Sequence, residues 1–265
     1  MPSVQHLLET RFSVKLGWDL PAGWLPERIE LLRRFTLPSV AAQTTSAFTW
    51  LVLCDDATDP SILEQLRAEE QRLPALRLAL TGDGRTAIDV VRAAVDPDVD
   101  VLITTRLDSD DAIADRYLEA VQDYAASFHR SSLESILVNF ARGYRLDVAQ
   151  ERFYASRMTN NAFHSLFERP RSHSPQTVMS AGDDRLRRQW FQSYDRITMP
   201  GRGGANWHSH AHLHQHYPTH QDESMPAWLV AVHGGNLLNR IKPNSRPQPK
   251  GFRPPGFTIC DEPGG

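Results

Sequence analysis

The chain has 265 residues, 40% of them apolar and 23% charged, with a formal net charge of -3. This is enough to bury one sizeable core, and it excludes low-complexity and fibrous chains, while near-neutral charge argues against broad nucleic-acid binding. Two cysteines, Cys54 and Cys260, are too few for a disulfide framework or a structural zinc site. Apolar runs such as Leu51-Val52-Leu53-Cys54 are too short to cross a membrane, and Glu9 and Arg11 sit where a signal peptide needs apolar residues, so a cytoplasmic protein with no transmembrane segment is expected.

In chain order, 6–16 reads as a strand ending in Thr10-Arg11-Phe12-Ser13-Val14. A helix follows from Pro26, with Ile29, Leu32 and Phe35 at helical spacing, and Pro38 is expected to interrupt it. Residues 48–53 form a buried strand that stops at Cys54-Asp55-Asp56, Pro60 opens another helix, and 76–80 is a third strand. A helix over 86–95 leads to a fourth strand, 101–105, and an amphipathic helix is expected over 113–128. This alternation signals an α/β fold with a mostly parallel sheet. Beyond it, 136–140, 143–148 and 152–155 read as strands at hairpin spacing, giving an antiparallel flank. Glycine, histidine and proline dominate 199–226, which reads as a long loop of the kind that often forms a lid. Proline-rich 243–255 is too poor in apolar residues to pack a core and is expected to be disordered without ligand.

Asp108, Asp110 and Asp111 follow the fourth strand directly, at the carboxyl end where open α/β sheets bind ligands. Three carboxylates so close together repel one another unless a cation offsets their charge. Magnesium or manganese suits such oxygen donors and still accepts oxygens from a substrate diphosphate. The plain alternative is a solvated loop in which Asp110 or Asp111 caps a helix beginning near Ile113.

The run Thr104-Thr105-Arg106-Leu107-Asp108-Ser109-Asp110-Asp111-Ala112 resembles the DxD region of GT-A glycosyltransferases. Together with Thr10-Arg11-Phe12, Leu37-Pro38-Ser39-Val40, Gln43-Thr44, Phe48-Thr49-Trp50-Leu51-Val52-Leu53 and Trp228-Leu229-Val230-Ala231-Val232-His233-Gly234-Gly235-Asn236, it is similar to the bacterial putative rhamnosyltransferase family. The resemblance implies a GT-A-like, Rossmann-like domain over 1–239, with a nucleotide-sugar half (1–130), an acceptor half (131–239) and a basic tail (240–265). It implies that Thr10, Arg11, Phe12, Asp55 and Asp56 frame the nucleotide, and that His233 joins Asp108 and Asp110 as a metal ligand. It also places a general base at Asp183 or Asp184, with Glu168 as the other candidate, and implies a dTDP-, UDP- or GDP-sugar donor and a hydroxyl acceptor, either a glycan or a small-molecule glycoside.

From the residues themselves, a carboxylate at a strand end can accept from a base imide or ribose hydroxyl, although Asp55-Asp56-Ala57-Thr58 equally suits an ordinary turn. Arg11 and Arg106 can meet phosphate in bidentate fashion, or pair with the acidic cluster. Asp183 and Asp184 could merely cap a helix. His208, His210, His212, His214 and His216 alternate, with His220 nearby, and either contact an acceptor from the loop or form a metal-binding row. In the tail, Arg240 and Lys242 could fold over a bound diphosphate. Rival readings are an aspartate-based phosphotransfer or phosphatase enzyme and a non-enzymatic, histidine-rich metal- or carbohydrate-binding module.

Overall fold

The computed structural model describes residues 1–14, 23–159, 161–171, 175–178, 217–234, 239–241 and 244–260. Strand β1 (Val4–Arg11) is followed by α1 (Trp24–Leu31), a π-helical turn (Leu32–Thr36), α2 (Leu37–Ala41), β2 (Thr49–Asp55), α3 (Pro60–Arg72), β3 (Leu76–Thr81) and α4 (Ala87–Ala93). Then come β4 (Val101–Arg106), β5 (Ala112–Ile113), α5 (Tyr117–Gln122), α6 (Ala125–Arg130), β6 (Ser135–Asp147), β7 (Arg152–Arg157), β8 (His164–Glu168) and β9 (Thr219–Val232).

The strands form one sheet in the order β3-β2-β1-β4-β8-β6-β9-β5, with β7 on β6. Strands β3, β2, β1 and β4 are parallel, β8 runs antiparallel to both β4 and β6, and β9 lies parallel to β6. This is the α/β class with an antiparallel flank that the sequence implied. Strand β2 is apolar from Trp50 to Cys54 because both its faces are covered. Its Trp50, Val52 and Cys54 pack in the main core with Leu32 and Leu66, while Leu51 and Leu53 point the other way onto Ala87 and Val91 of α4.

Local chemistry sets several boundaries. Asp59 accepts from the Ser61 backbone N–H ahead of Pro60, and Thr86 and Asp89 close a capping box on α4. Pro38, expected to stop the first helix, instead lies within α2. The π-turn before it widens the spiral, so that Leu37 N–H donates to Leu32 O, five residues back. Proline has no N–H, which leaves the Arg34 carbonyl without its helical donor, and Cys260 N–H from the tail supplies one at 2.9 Å.

Other expectations are also corrected. The helix expected over 113–128 begins at Tyr117 and is interrupted at Asp123 and Tyr124, because Ala112 and Ile113 are drawn into β5 by pairing with Leu229 and Trp228. The two expected strands 136–140 and 143–148 are one, β6, with a register irregularity between Phe140 and Gly143. Gly143 permits it, since a Cβ there would lie 2.2 Å from Trp228 Cδ2. Part of the expected loop over 199–226 is strand, because β9 starts at Thr219 and gains a ladder along β6. The described tail is packed rather than disordered. Phe252, Phe257 and Ile259 join Leu31, Phe35, Leu146 and Phe153 in a separate cluster, and Gln248 N–H donates to Phe153 O at 2.7 Å.

Candidate active site

Strand β4 delivers Arg106 to the carboxyl edge of the parallel sheet, and Leu107 stays in the interior with its N–H donating to Glu9 O at 3.0 Å. The chain then turns, with Asp111 N–H donating to Asp108 O at 3.2 Å, and re-enters the sheet as β5. The acidic residues thus occupy a turn between two strands and do not cap a helix. Thr36, at the end of the π-turn, clasps this turn by donating Oγ1–H to Asp111 O at 2.9 Å. Turns of π-helix recur at functional sites because they aim side chains that a regular helix would not.

Each carboxylate meets a different partner. Asp108 Oδ1 accepts from Arg106 Nε and Nη2 at 3.1 and 2.7 Å. Asp110 Oδ2 lies 3.0 Å from His233 Nε2, which is 123 positions away in sequence, and 2.6 Å from Arg28 Nη1 of α1. His233 Nδ1 is 3.5 Å from Glu27 Oε1 of the same helix. Asp111 Oδ1 accepts from Ala231 N–H at 3.0 Å, which locks β9 to the turn.

These surroundings push the carboxyl groups apart in acidity. Burial opposes ionisation of Asp110, but the His233 hydrogen bond and the Arg28 charge outweigh it and hold the group below the ordinary aspartate range. Burial, followed by the neighbouring charges of Asp110 and Asp108, drives Asp111 well above that range, so Asp111 retains its proton to higher pH than an ordinary aspartate.

Carboxylate and imidazole are suitable donors for a hard divalent cation. Asp110 Oδ2 and His233 Nε2 stand 3.0 Å apart, the separation of adjacent donors on an octahedral ion with bonds of about 2.1 Å. Among the described residues, however, no three such groups converge on one point. Arg28 shares the Asp110 oxygen, and Asp108 is turned toward Arg106. The donor chemistry fits, with guanidinium groups occupying the carboxylates.

The other expected site residues divide. Thr10 and Phe12 face the interior: Thr10 Oγ1 accepts from Trp50 Nε1 at 2.9 Å, and Phe12 lies in the main core. Strand alternation, which turns both inward, sends Arg11 the opposite way and leaves it half-buried at the strand end. Asp55 Oδ1 accepts from Ala57 N–H at 2.9 Å and forms the turn after β2. Asp56 is exposed, and its carboxylate rests on Gly82, where φ is 144° and a Cβ would lie 2.1 Å from Oδ2. Asp56 therefore joins the β2 and β3 ends at the crevice.

Glu168 is buried, and its two oxygens accept from the backbone N–H groups of Gln176 and Thr177 at 2.8 and 2.9 Å. That geometry anchors a turn. Asp183, Asp184, Lys242 and the His208 to His216 row lie outside the described residues, whereas His220 is within them, its Nε2 3.1 Å from the Tyr124 hydroxyl. Sequence reasoning missed Glu27, Arg28 and Thr36. Nothing in their spacing marks them, since charged residues on an amphipathic helix ordinarily read as its solvated face.

The chain belongs to the family described as "Putative rhamnosyl transferase", whose sequence profile matches residues 20–190. No curated protein matches the chain. Solved structures similar to it include S. aureus TarS 1-349 in complex with UDP, at 12% identity over 86% of this chain and 60% of that one, with a TM-score of 0.45. The same protein in complex with UDP-GlcNAc aligns at 13% identity over 88% of this chain and 60% of that one, with a TM-score of 0.44. The chain thus spans 60% of the length of these structures. No described helix is long and apolar enough to cross a membrane.

Proposed function

We propose that this chain is a glycosyltransferase that moves a sugar from a nucleoside diphosphate donor to a hydroxyl acceptor, with a bound divalent cation and inversion at the anomeric carbon. The observation that carries the reading is the meeting of Asp110 and His233 at the carboxyl end of β4, in a chain of the rhamnosyl transferase family. The family description makes a dTDP-linked deoxyhexose the first donor to test, with UDP- and GDP-sugars as the others.

In this reading Asp108, Asp110 and His233 hold manganese or magnesium, which when bound supplies Lewis-acid stabilisation of the departing diphosphate. Arg106, which lies beside Asp108, shares the phosphate charge in this reading. Asp56, exposed just past the β2 end, accepts from the nucleoside in this reading. Asp184, with Asp183 beside it, takes the acceptor proton as the hydroxyl attacks. Glu168 holds the turn at Gln176 and Thr177, through which the chain leads toward these aspartates.

Calorimetry with dTDP, UDP and GDP, with and without manganese, tests the reading on the wild-type chain and on Asp110→Asn. One nucleotide is expected to bind only with manganese, and to bind at least a hundredfold more weakly to the variant. Equal affinity in the two proteins, or no binding of any nucleotide, overturns the proposal.

A further inference from the structure

The two carboxylates of the acidic turn that a cation would need each already face one of the protein's own guanidinium groups, Arg106 at Asp108 Oδ1 and Arg28 at Asp110 Oδ2. The two pairs are not alike. Arg106 ends β4 and reaches Asp108 through both Nε and Nη2, a forked contact within one turn. Arg28 comes from a different element, α1, and lies with Nη1 at 2.6 Å from Asp110 Oδ2. Its guanidinium also lies over the Trp24 ring, 4.5 Å from the centroid. The guanidinium therefore has a second hold, the Trp24 ring, beside its contact with Asp110.

The helix that carries Arg28 is not free to withdraw with it. Thr36 ties the π-turn to the Asp111 carbonyl, and the tail ties Arg34 through Cys260. Separation of Arg28 from Asp110 therefore calls on the Arg28 side chain rather than on its helix.

Resting on the transferase reading above, we propose that Arg28 is a diphosphate-binding residue held in reserve, with its guanidinium balancing Asp110 in the ligand-free site and passing to the donor's phosphates when a divalent cation takes the carboxylate. Charge balance supplies the reason. A dication arriving at two carboxylates that already face Arg106 and Arg28 adds two positive charges to a site where Asp110 and His233 are largely buried. A ligand bearing two or more negative charges close to both arginines removes that excess. A nucleoside diphosphate does so, whereas a neutral glycoside or a nucleoside does not. Cation and nucleotide consequently bind weakly alone and tightly together, and by linkage each strengthens the other by the same factor.

The experiment measures manganese uptake by the full chain without nucleotide, from the loss of the free-ion electron paramagnetic resonance signal, for wild type, Arg28→Met and Arg28→Lys. Calorimetry then measures nucleoside diphosphate affinity in saturating manganese. Arg28→Met is expected to bind manganese alone at least tenfold more tightly than wild type, and to bind the nucleotide at least tenfold more weakly. Arg28→Lys keeps the charge but lacks the planar fork, so its manganese affinity stays at the wild-type level while nucleotide affinity falls.

Unchanged or weaker manganese affinity in a natively folded Arg28→Met overturns the exchange. Should that variant not fold, full nucleotide affinity in Arg28→Lys overturns it instead. If wild type shows manganese-dependent nucleotide binding that Asp110→Asn abolishes while the Arg28 variants behave as wild type, the transferase reading stands and only the exchange fails. If wild type binds neither manganese nor nucleotide, both fail together.

Discussion

Acid should weaken this fold through one buried imidazole beneath the site. His6 on β1 is 2% exposed, and its Nε2 lies 2.8 Å from Thr105 Oγ1, which in turn contacts Ser165 Oγ at 2.7 Å. Its Nδ1 is 3.2 Å from Gln122 Nε2. The Gln122 amide is oriented by its other contacts, since Oε1 accepts from Thr45 and Nε2 donates to Ala47 O. His6 Nδ1 must therefore accept, and Nε2 carries the single proton. A second proton would set donor against donor and charge a buried ring.

Burial accordingly lowers the His6 pKa from 6.5 to about 3. Because the folded value lies below the unfolded one, the unfolded chain binds the extra proton first. Stability is unaffected above the unfolded pKa and falls as pH drops from 6.5 toward 3. Between pH 7.5 and 5 the linkage relation gives a loss of about 2 kcal/mol from this residue alone. Urea unfolding followed by the fluorescence of the buried Trp50 and Trp228 reads this directly. His6→Gln should flatten the stability profile over that interval by the same amount. Parallel wild-type and variant profiles would refute the reasoning.

Two further outcomes follow from packing. Gly143→Ala places a methyl 2.2 Å from Trp228 Cδ2 and 2.4 Å from the Trp228 carbonyl oxygen, and should destabilise by about 3 kcal/mol because the obstruction includes backbone; a thermal midpoint within a degree of wild type would contradict this. Phe257 meets Tyr144 edge-on at 5.9 Å within the tail cluster, so Phe257→Ala should cost about 2 kcal/mol of tail docking and speed limited proteolysis within 244–260 by at least tenfold. Unchanged cleavage there would show that the tail is held by its backbone hydrogen bonds alone.

The sequence by itself determined the α/β class and the placement of the acidic turn. Both are local signals: strand-length apolar runs separated by amphipathic stretches, and carboxylates directly after a strand. It also singled out His233, through resemblance, although the contact that gives this residue meaning spans 123 positions. Tertiary structure alone decided the rest. Alternation at the end of β1 buried Thr10 and Phe12, which the resemblance had placed beside a nucleotide. Pairing with β9 converted the start of an expected helix into β5 and fixed Asp111 against Ala231. Pro38 stays within a helical segment because a π-turn precedes it and the Cys260 N–H, from the far end of the chain, satisfies the Arg34 carbonyl. Arg28 reaches Asp110 for the same kind of reason: its position on α1 follows from local periodicity, but which carboxylate it neutralises depends on how the helix lies across the strand ends. Periodicity encodes which face of an element is apolar, and only the assembled sheet determines what that face meets.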